Sequence, residues 1–182
     1  VPFGVLVVAA TLTSSPAAPA LAKLRPVPFT DVKIADAFWL PRQETNRVAS
    51  LPVNLENLEK AGNLEDLRLA AQGATNGYRG PVFMDSDLYK ALDAAPYSLA
   101  IHPDPALEKQ LDEIIATLAG AQQPDGYLNS YFTVKEPTKR WTNLRDWHEL
   151  YCAGHLFEGA VAHYQATGKR SYLNVAIKLA DN

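Results

Sequence analysis

Apolar residues recur every three or four positions along most of this 182-residue chain, a spacing that places them on one face of an α-helix. The pattern is clearest from Pro105 to Gln122. There Asp104 is a suitable N-cap and Pro105 suits the first helical position. The apolar positions that keep the spacing in this segment are Leu107, Leu111, Ile114, Ile115 and Leu118. A chain with this pattern is expected to bury helix faces against other helices.

The same pattern, read together with capping and breaking residues, predicts about six helices and almost no strand. Two segments are expected to be extended, a short one near the N-terminus at Pro26–Ile34 and one at Tyr127–Phe132. Pro96 lies inside an otherwise helical segment and predicts a kink or a break there. Gly168 is expected to end the helix before it.

Helices that each bury one stripe need partners, so the predicted fold class is all-α. The helices lie within residues 23–182, and the last one is expected to be still running at Asn182. We therefore expect this segment to be the N-terminal portion of a larger helical domain, truncated at its C-terminus, rather than a finished bundle. A partial domain of this kind is expected to expose apolar helix faces.

Charge and cysteine content exclude several classes of function. The chain has 17 Lys and Arg residues against 20 Asp and Glu residues, so it has no basic excess with which to neutralise phosphates, and we expect no nucleic-acid partner. Its one cysteine excludes an intramolecular disulfide and an all-cysteine zinc site within this chain.

The first 22 residues have the features of a signal peptide. Val5–Leu12 is a short apolar segment, and the Ser/Pro/Ala-rich stretch after it ends in Ala20-Leu21-Ala22. Cleavage after Ala22 would leave Lys23 as the mature N-terminus. The apolar segment is far shorter than the roughly 20 residues needed to cross a bilayer. We therefore expect an exported protein, periplasmic or extracellular, without a membrane span. The alternative is a disordered Ala/Pro-rich tail.

The segment His148–His155 contains two of the four histidines, the one cysteine and a carboxylate. On a helix, His148, Cys152 and His155 fall within an arc of roughly 60°. This arc could line a substrate cavity, bind zinc, or belong to a hydrogen-bonded interior in which the thiol acts as a small hydrophobe. A nucleophilic Cys152 would need a thiolate-stabilising neighbour, which either histidine can supply. The stripe expected to face the core is Leu150, Ala153, Phe157, Ala160, Val161 and Tyr164.

Two carboxylates, Asp85 and Asp87, stand at a predicted loop-to-helix junction. Capping and the helix dipole account for at least one of them, and a hydrogen bond to a sugar hydroxyl is the functional alternative. Phe132, Trp141 and Trp147 can either stack on the apolar face of a sugar or pack in the core. The sequence contains no glycine-rich phosphate loop and no serine nucleophile elbow, so phosphoryl transfer and serine hydrolase chemistry are not supported.

Six segments occur along the chain in the order Val32–Trp39, Phe83–Lys90, His102–Pro105, Ala121–Leu128, His148–His155 and Ala160–Tyr164. Together they resemble glycoside hydrolase family 127, the β-L-arabinofuranosidases, and the resemblance extends from Pro28 to Asn182. It implies an (α/α)6 barrel catalytic domain, present here only in its N-terminal part. It also implies a carbohydrate substrate and retaining hydrolysis of terminal β-L-arabinofuranosyl groups.

The resemblance further implies roles for individual residues. His148 matches a histidine that lines the sugar subsite, and Glu149, Asp85 and Asp87 lie in matching motifs, so these four are the candidate substrate-binding residues. In the family a zinc-bound cysteine thiolate is the nucleophile and a glutamate is the acid/base. The segments that hold zinc do not occur in this chain, and Cys152 matches none of them.

From this resemblance we expect no catalytic residue and no metal ligand within these 182 residues, zinc in the full-length enzyme, and no activity of the chain alone. Two alternatives from other classes stay open. One is a non-catalytic helical module that binds carbohydrate or acts as a scaffold. The other is a zinc hydrolase that uses His148, Cys152 and His155.

Overall fold

The computed structural model describes Leu24 and residues 26–182, and all regular structure within them is helical. Six of its eight α-helices have nine residues or more, so the prediction of an all-α chain with about six helices is confirmed. The predicted signal peptide lies outside the described residues. The helices are α1 Trp39–Thr45, α2 Leu51–Ala61, α3 Asn63–Ala71, α4 Met84–Ile101, α5 Pro105–Ala121, α6 Ser130–Val134, α7 Glu149–Thr167 and α8 Ser171–Ala180.

Short helical turns join some of these elements. A π-helical turn at Asn46–Ser50 connects α1 to α2, and two 3-10 turns lie at Phe29–Asp31 and Pro137–Lys139. Within the described part of the chain, no helix is both long enough and apolar enough to cross a membrane.

Several helix ends form as the local sequence predicts. Asp104 caps α5, because its Oδ1 accepts hydrogen bonds from the backbone N–H groups of Ala106 at 3.0 Å and Leu107 at 3.1 Å. Gly168 ends α7 in the left-handed conformation, with φ of 72°. The last helix, α8, ends at Ala180 instead of continuing to Asn182.

Three local predictions differ from the structure. The break that was one of the two outcomes predicted at Pro96 is absent, since α4 runs through this buried residue, which lacks the N–H for a helical hydrogen bond. The N-terminal segment is not extended throughout, since it contains the turn Phe29–Asp31. The segment after Tyr127 becomes helical at Ser130, because Oδ1 of Asn129 accepts from the Phe132 N–H at 3.1 Å and caps α6.

The longest helices, α4 and α7, pack against each other and form the centre of the molecule. Gly159 lies at their closest approach. A Cβ atom at this position would lie 3.2 Å from the carbonyl oxygen of Tyr89 and 3.3 Å from the backbone nitrogen of Asp93. The backbone of α4 therefore leaves little room for a side chain at position 159. Fully buried apolar side chains around this pair include Leu88, Leu92, Leu111, Ile115, Leu118 and Leu156.

The face of α7 that turns inward is only partly the predicted one, since Ala153 and Ala160 are buried and Phe157 packs against the core as expected. Leu150, Val161 and Tyr164 were expected in the core, yet they are 57%, 45% and 40% exposed. The buried face consists mostly of small side chains, which let the backbone of α4 approach closely. Its residues are Glu149, Cys152, Ala153, Leu156, Gly159, Ala160, Ala162 and His163.

Candidate functional site

The first turns of α4 and α7 lie side by side, and their outward side chains touch one another in an unbroken series. We call this surface the α4–α7 shelf. It mixes aromatic rings, imidazoles and one charge of each sign, which is the side-chain chemistry of a ligand-binding surface. Its residues are Phe83, Asp87 and Lys90 from the start of α4 and His148, Tyr151 and His155 from the start of α7.

Ring contacts hold the middle of the shelf together. The ring centroids of Phe83 and His148 are 5.2 Å apart, and those of His148 and Tyr151 are 5.6 Å apart. Tyr151 meets the ring of His155 edge-on at 4.6 Å. Phe83 and Tyr151 are 38% and 44% exposed, so both rings can also contact a ligand.

Charged groups form the α4 side of the shelf. The ammonium nitrogen of Lys90 lies 5.0 Å from the centroid of the Tyr151 ring and 3.5 Å from Oδ1 of Asp87. Asp87 and Lys90 are both exposed, so each can exchange its water contacts for a ligand hydroxyl. Asp87 therefore lies where the sequence predicted a substrate-binding carboxylate.

His148 reaches the shelf by a route that the helical pattern does not predict. It precedes α7 as its N-cap and has φ of 57°, in the left-handed region that few non-glycine residues adopt. Its side chain is therefore directed by the preceding loop and not by the helix. Nδ1 of His148 is shielded from solvent and has no hydrogen-bond partner among the described residues, which leaves the half-buried ring with one unused donor or acceptor.

Asp85 points the opposite way from Asp87, into the protein. It is 2% exposed, and its carboxylate accepts hydrogen bonds from both the backbone N–H of Ser130, at 2.7 Å, and the Ser130 hydroxyl. Burial raises the pKa of Asp85 to about 6, because desolvation disfavours the charged carboxylate. Asp85 therefore ties the start of α4 to the start of α6 and lies beneath the shelf.

Glu149 also points inward. It is 2% exposed, and its Oε1 accepts from the Tyr127 hydroxyl at 2.5 Å. The backbone N–H of Trp141 donates to both carboxylate oxygens, at 3.0 and 2.9 Å. Of the four predicted substrate-binding residues, His148 and Asp87 thus lie on the shelf, whereas Asp85 and Glu149 support it from below.

The proposed zinc ligands do not converge. Cys152 is 1% exposed beneath the shelf, and burial raises the pKa of its thiol well above the usual range. Nδ1 of His155 lies 3.1 Å from Glu158, and His148 is not on the helix that was to align the three side chains. Residues 24 and 26–182 contain no group of three or more His, Cys, Asp or Glu side chains placed to hold a metal ion. The residues present therefore do not fit a zinc site.

The three aromatic residues suggested by the sequence have other environments. Phe132 is fully buried, and the ring of Trp147 lies 5.6 Å from it. Trp141 packs edge-on against Tyr127 at 5.2 Å. The residues that the sequence argument missed are Phe83, Lys90 and Tyr151. A usable signal for the last two was their position in the sequence. Lys90 follows Asp87 by three residues and Tyr151 follows His148 by three, a spacing at which helical side chains are neighbours.

The described helices are a part of an all-helical domain, and the shelf is the candidate site on its surface. The sequence model for the β-L-arabinofuranosidase GH127 catalytic domain matches residues 31–182, and the chain belongs to this family of glycoside hydrolases. The family resemblance found in the sequence is thereby confirmed.

Similar proteins agree with this assignment. A non-reducing end β-L-arabinofuranosidase of Bifidobacterium longum subsp. longum is 40% identical over 126 residues, which are 67% of this chain and 19% of that protein. A solved GH127 β-L-arabinofuranosidase from Geobacillus stearothermophilus T6 is 47% identical, with a TM-score of 0.80 over 83% of this chain and 25% of its own. A second GH127 β-arabinofuranosidase structure is 42% identical, with a TM-score of 0.81 over 86% of this chain and 26% of its own.

The chain therefore spans about a quarter of the length of the solved relatives and 19% of the curated one. Since GH127 domains are (α/α)6 barrels, the described helices are a part of such a barrel, as the sequence resemblance implied.

Proposed function

We propose that the α4–α7 shelf binds the terminal arabinofuranosyl group of a glycan, and that the chain contributes this binding wall to a retaining β-L-arabinofuranosidase. The observation that carries the proposal is that Asp87 and His148 lie on one surface, where Lys90 and Tyr151 connect them and Phe83 lies beside His148. Membership of the GH127 family supports the substrate class.

The side chains on the shelf suit a furanose ring. An imidazole nitrogen can donate to or accept from a hydroxyl, and the Asp87 carboxylate accepts while the Lys90 ammonium donates. Phe83 and Tyr151 offer partly exposed ring faces to the apolar C–H side of the sugar. These groups come from helix starts that are buried on their inner side, so their positions are held before the ligand arrives.

The hydrolytic step is assigned to groups outside these 182 residues. Retention needs a nucleophile and an acid/base on opposite sides of the anomeric carbon. The carboxylates of Asp85 and Glu149 are both engaged inside the protein, and the Cys152 thiol is buried. We therefore propose that the chain binds the sugar without cleaving it, and that the full-length enzyme supplies the nucleophile, the acid/base and any zinc ligands.

A binding measurement tests the proposal. Methyl β-L-arabinofuranoside is titrated into the 182-residue chain and followed by NMR, with the corresponding pyranoside as a comparison. His148→Asn should abolish the shifts caused by the furanoside while it preserves the fold, because asparagine tolerates a positive φ. His102→Asn is the matched control, since His102 is exposed at the opposite end of α4. Equal binding by wild type and His148→Asn would contradict the role of the shelf.

We also propose that the protein is exported, on the basis of the apolar segment Val5–Leu12 and the Ala20-Leu21-Ala22 sequence. The test is the mass of the protein recovered from outside the cytoplasm of the producing cell. A mature N-terminus at Lys23 would agree with cleavage after Ala22. Retention in the cytoplasm with residues 1–22 intact would contradict export.

A further inference from the structure

Glu149 shares its helix start with His148, but both of its carboxylate oxygens accept hydrogen bonds inside the protein. A buried carboxylate is costly unless its oxygens receive hydrogen bonds. Here two donors supply them: the Tyr127 hydroxyl at 2.5 Å, and the Trp141 N–H, which lies 3.0 and 2.9 Å from the two oxygens. With 2% of its surface exposed, Glu149 cannot contact a sugar on the shelf without breaking these bonds.

The loop that Glu149 contacts has unusual backbone geometry at both ends. Trp141 has φ of 58° and His148 has φ of 57°, and these are the only two non-glycine residues with positive φ in the described part of the chain. Such conformations are costly for residues with a Cβ atom and persist where the surroundings impose them. Residues 141–148 thus form a loop bounded by two strained residues.

Glu149 contacts both ends of this loop. Its carboxylate binds the N–H of Trp141, and its own backbone follows directly after His148. The Trp141 side chain is held as well, because its ring packs edge-on against Tyr127 and its Nε1–H donates to Oδ1 of Asn182 at 3.1 Å. The first turn of α7 then forms with the Cys152 N–H donating to the His148 carbonyl at 2.9 Å.

We propose that Glu149 is a positioning residue, which holds the 141–148 loop in the one conformation that places the His148 ring on the shelf. The inference rests on the proposed function for its effect on sugar binding, but the loop geometry can be measured without any ligand. It changes the role that the sequence resemblance implied for Glu149, from a contact with the substrate to a support for the residue that makes one.

The experiment compares Glu149→Gln with wild type by NMR and by titration with methyl β-L-arabinofuranoside. Glutamine keeps the size of the side chain but has one acceptor oxygen instead of two and carries no charge, so the hydrogen bonds from the Trp141 N–H and the Tyr127 hydroxyl cannot both keep their present form. We expect the Trp141 amide to become less protected against hydrogen exchange, the His148 ring resonances to move, and the Kd for the sugar to rise about tenfold.

Asp66→Asn is the matched control. Asp66 is another fully buried carboxylate that accepts from a backbone N–H, that of Arg79 at 2.9 Å, and it lies in α3 away from the loop. This variant should lower the melting temperature but leave the His148 resonances and the Kd unchanged. If Glu149→Gln does not fold, Tyr127→Phe removes a single hydrogen bond from the same carboxylate and should move the Trp141 and His148 signals in the same direction.

Each result is decisive. A folded Glu149→Gln with unchanged His148 resonances and an unchanged Kd would overturn the positioning role. A weaker Kd with unmoved His148 resonances would overturn it too, since Glu149 would then contact the sugar itself. If wild type does not bind the sugar, the proposed function fails, while the His148 and Trp141 signals of the variant still test the link between Glu149 and the loop.

Discussion

The two sides of the α4–α7 shelf differ in what their polar groups contact. On the outer side, Asp87 is exposed and the His148 ring is half-buried, and within the described part of the chain neither side chain is tied to the interior by a hydrogen bond. On the inner side, Asp85 and Glu149 give their oxygens to Ser130, Tyr127 and Trp141. The outer pair has the chemistry of ligand contact, and the inner pair has the chemistry of support.

This difference predicts two kinds of variant. Removal of an inner group leaves buried donors without an acceptor, which costs folding free energy. Removal of an outer group breaks no hydrogen bond inside the protein. The free energy of unfolding therefore changes little, and the loss is confined to ligand binding. The four predictions below test this division, in order of decreasing effect.

The largest effect is expected at Cys152, directly beneath the shelf. Because its thiol is buried and its pKa is raised, it should react with an aromatic disulfide reagent at least about a thousandfold more slowly in the native protein than in urea. The measurement is the rate of thiol labelling, with the urea-unfolded protein as the reference. Fast labelling of the native protein would mean that the inner side is open to solvent.

Asp85→Ala should lower the free energy of unfolding by about 3 kcal/mol, because the N–H and hydroxyl of Ser130 lose their acceptor in a buried environment. Urea denaturation followed by circular dichroism measures this change. The double variant with Ser130→Ala should recover part of this free energy, because the Ser130 hydroxyl that lost its acceptor is then removed as well. A loss below about 0.5 kcal/mol would show that Asp85 is not an internal link.

The same carboxylate should make stability depend on pH. Its pKa is raised from 3.8 to about 6 in the folded protein, so the folded state holds this proton more tightly than the unfolded chain does. The resulting stabilisation is present below about pH 4 and is lost as the pH rises through about 6. Relative to Asp85→Asn, wild type should therefore lose roughly 2 to 3 kcal/mol of stability between about pH 4 and pH 7. Parallel pH profiles for the two proteins would contradict the raised pKa.

The smallest effect on stability is expected at Asp87. Asp87→Asn removes an exposed charge 3.5 Å from the Lys90 ammonium, a pair worth at most about 0.5 kcal/mol. The free energy of unfolding should stay within that range, while the affinity for methyl β-L-arabinofuranoside falls several-fold. Calorimetric titration of the variant checks the affinity. A large loss of stability would mean that Asp87, like Asp85 and Glu149, supports the folded structure from within.

Helix ends and the buried face of α5 were predictable from the local sequence, whereas the buried face of α7 was predictable only in part. Asp104 and Gly168 act within one turn of their own positions, so the sequence alone predicts both ends. The buried face of α7 depends on α4, which packs against small side chains and leaves Leu150 and Val161 exposed. Their hydrophobicity predicts that these two residues are buried. They are exposed because α4 packs against the face of α7 that carries the small side chains.

The sequence motifs predicted which segments contribute to the candidate site, but not the direction in which each side chain points. Asp85 and Asp87 are two positions apart and so point to opposite sides of α4. Which of them faces inward depends on the core, where Ser130, 45 positions after Asp85, donates hydrogen bonds to Asp85. His148 looks helical by its spacing to Cys152, yet its left-handed backbone places it outside the helix. Non-local hydrogen bonds of this kind leave no trace in a periodic pattern.

Gly159 lies outside the shelf, yet the shelf depends on it. A Cβ atom at this position would lie 3.2 Å from the α4 backbone, so a larger residue would push the two helices apart. Because the shelf residues stand on the same two helices, such a push would also change the spacing between its α4 and α7 sides.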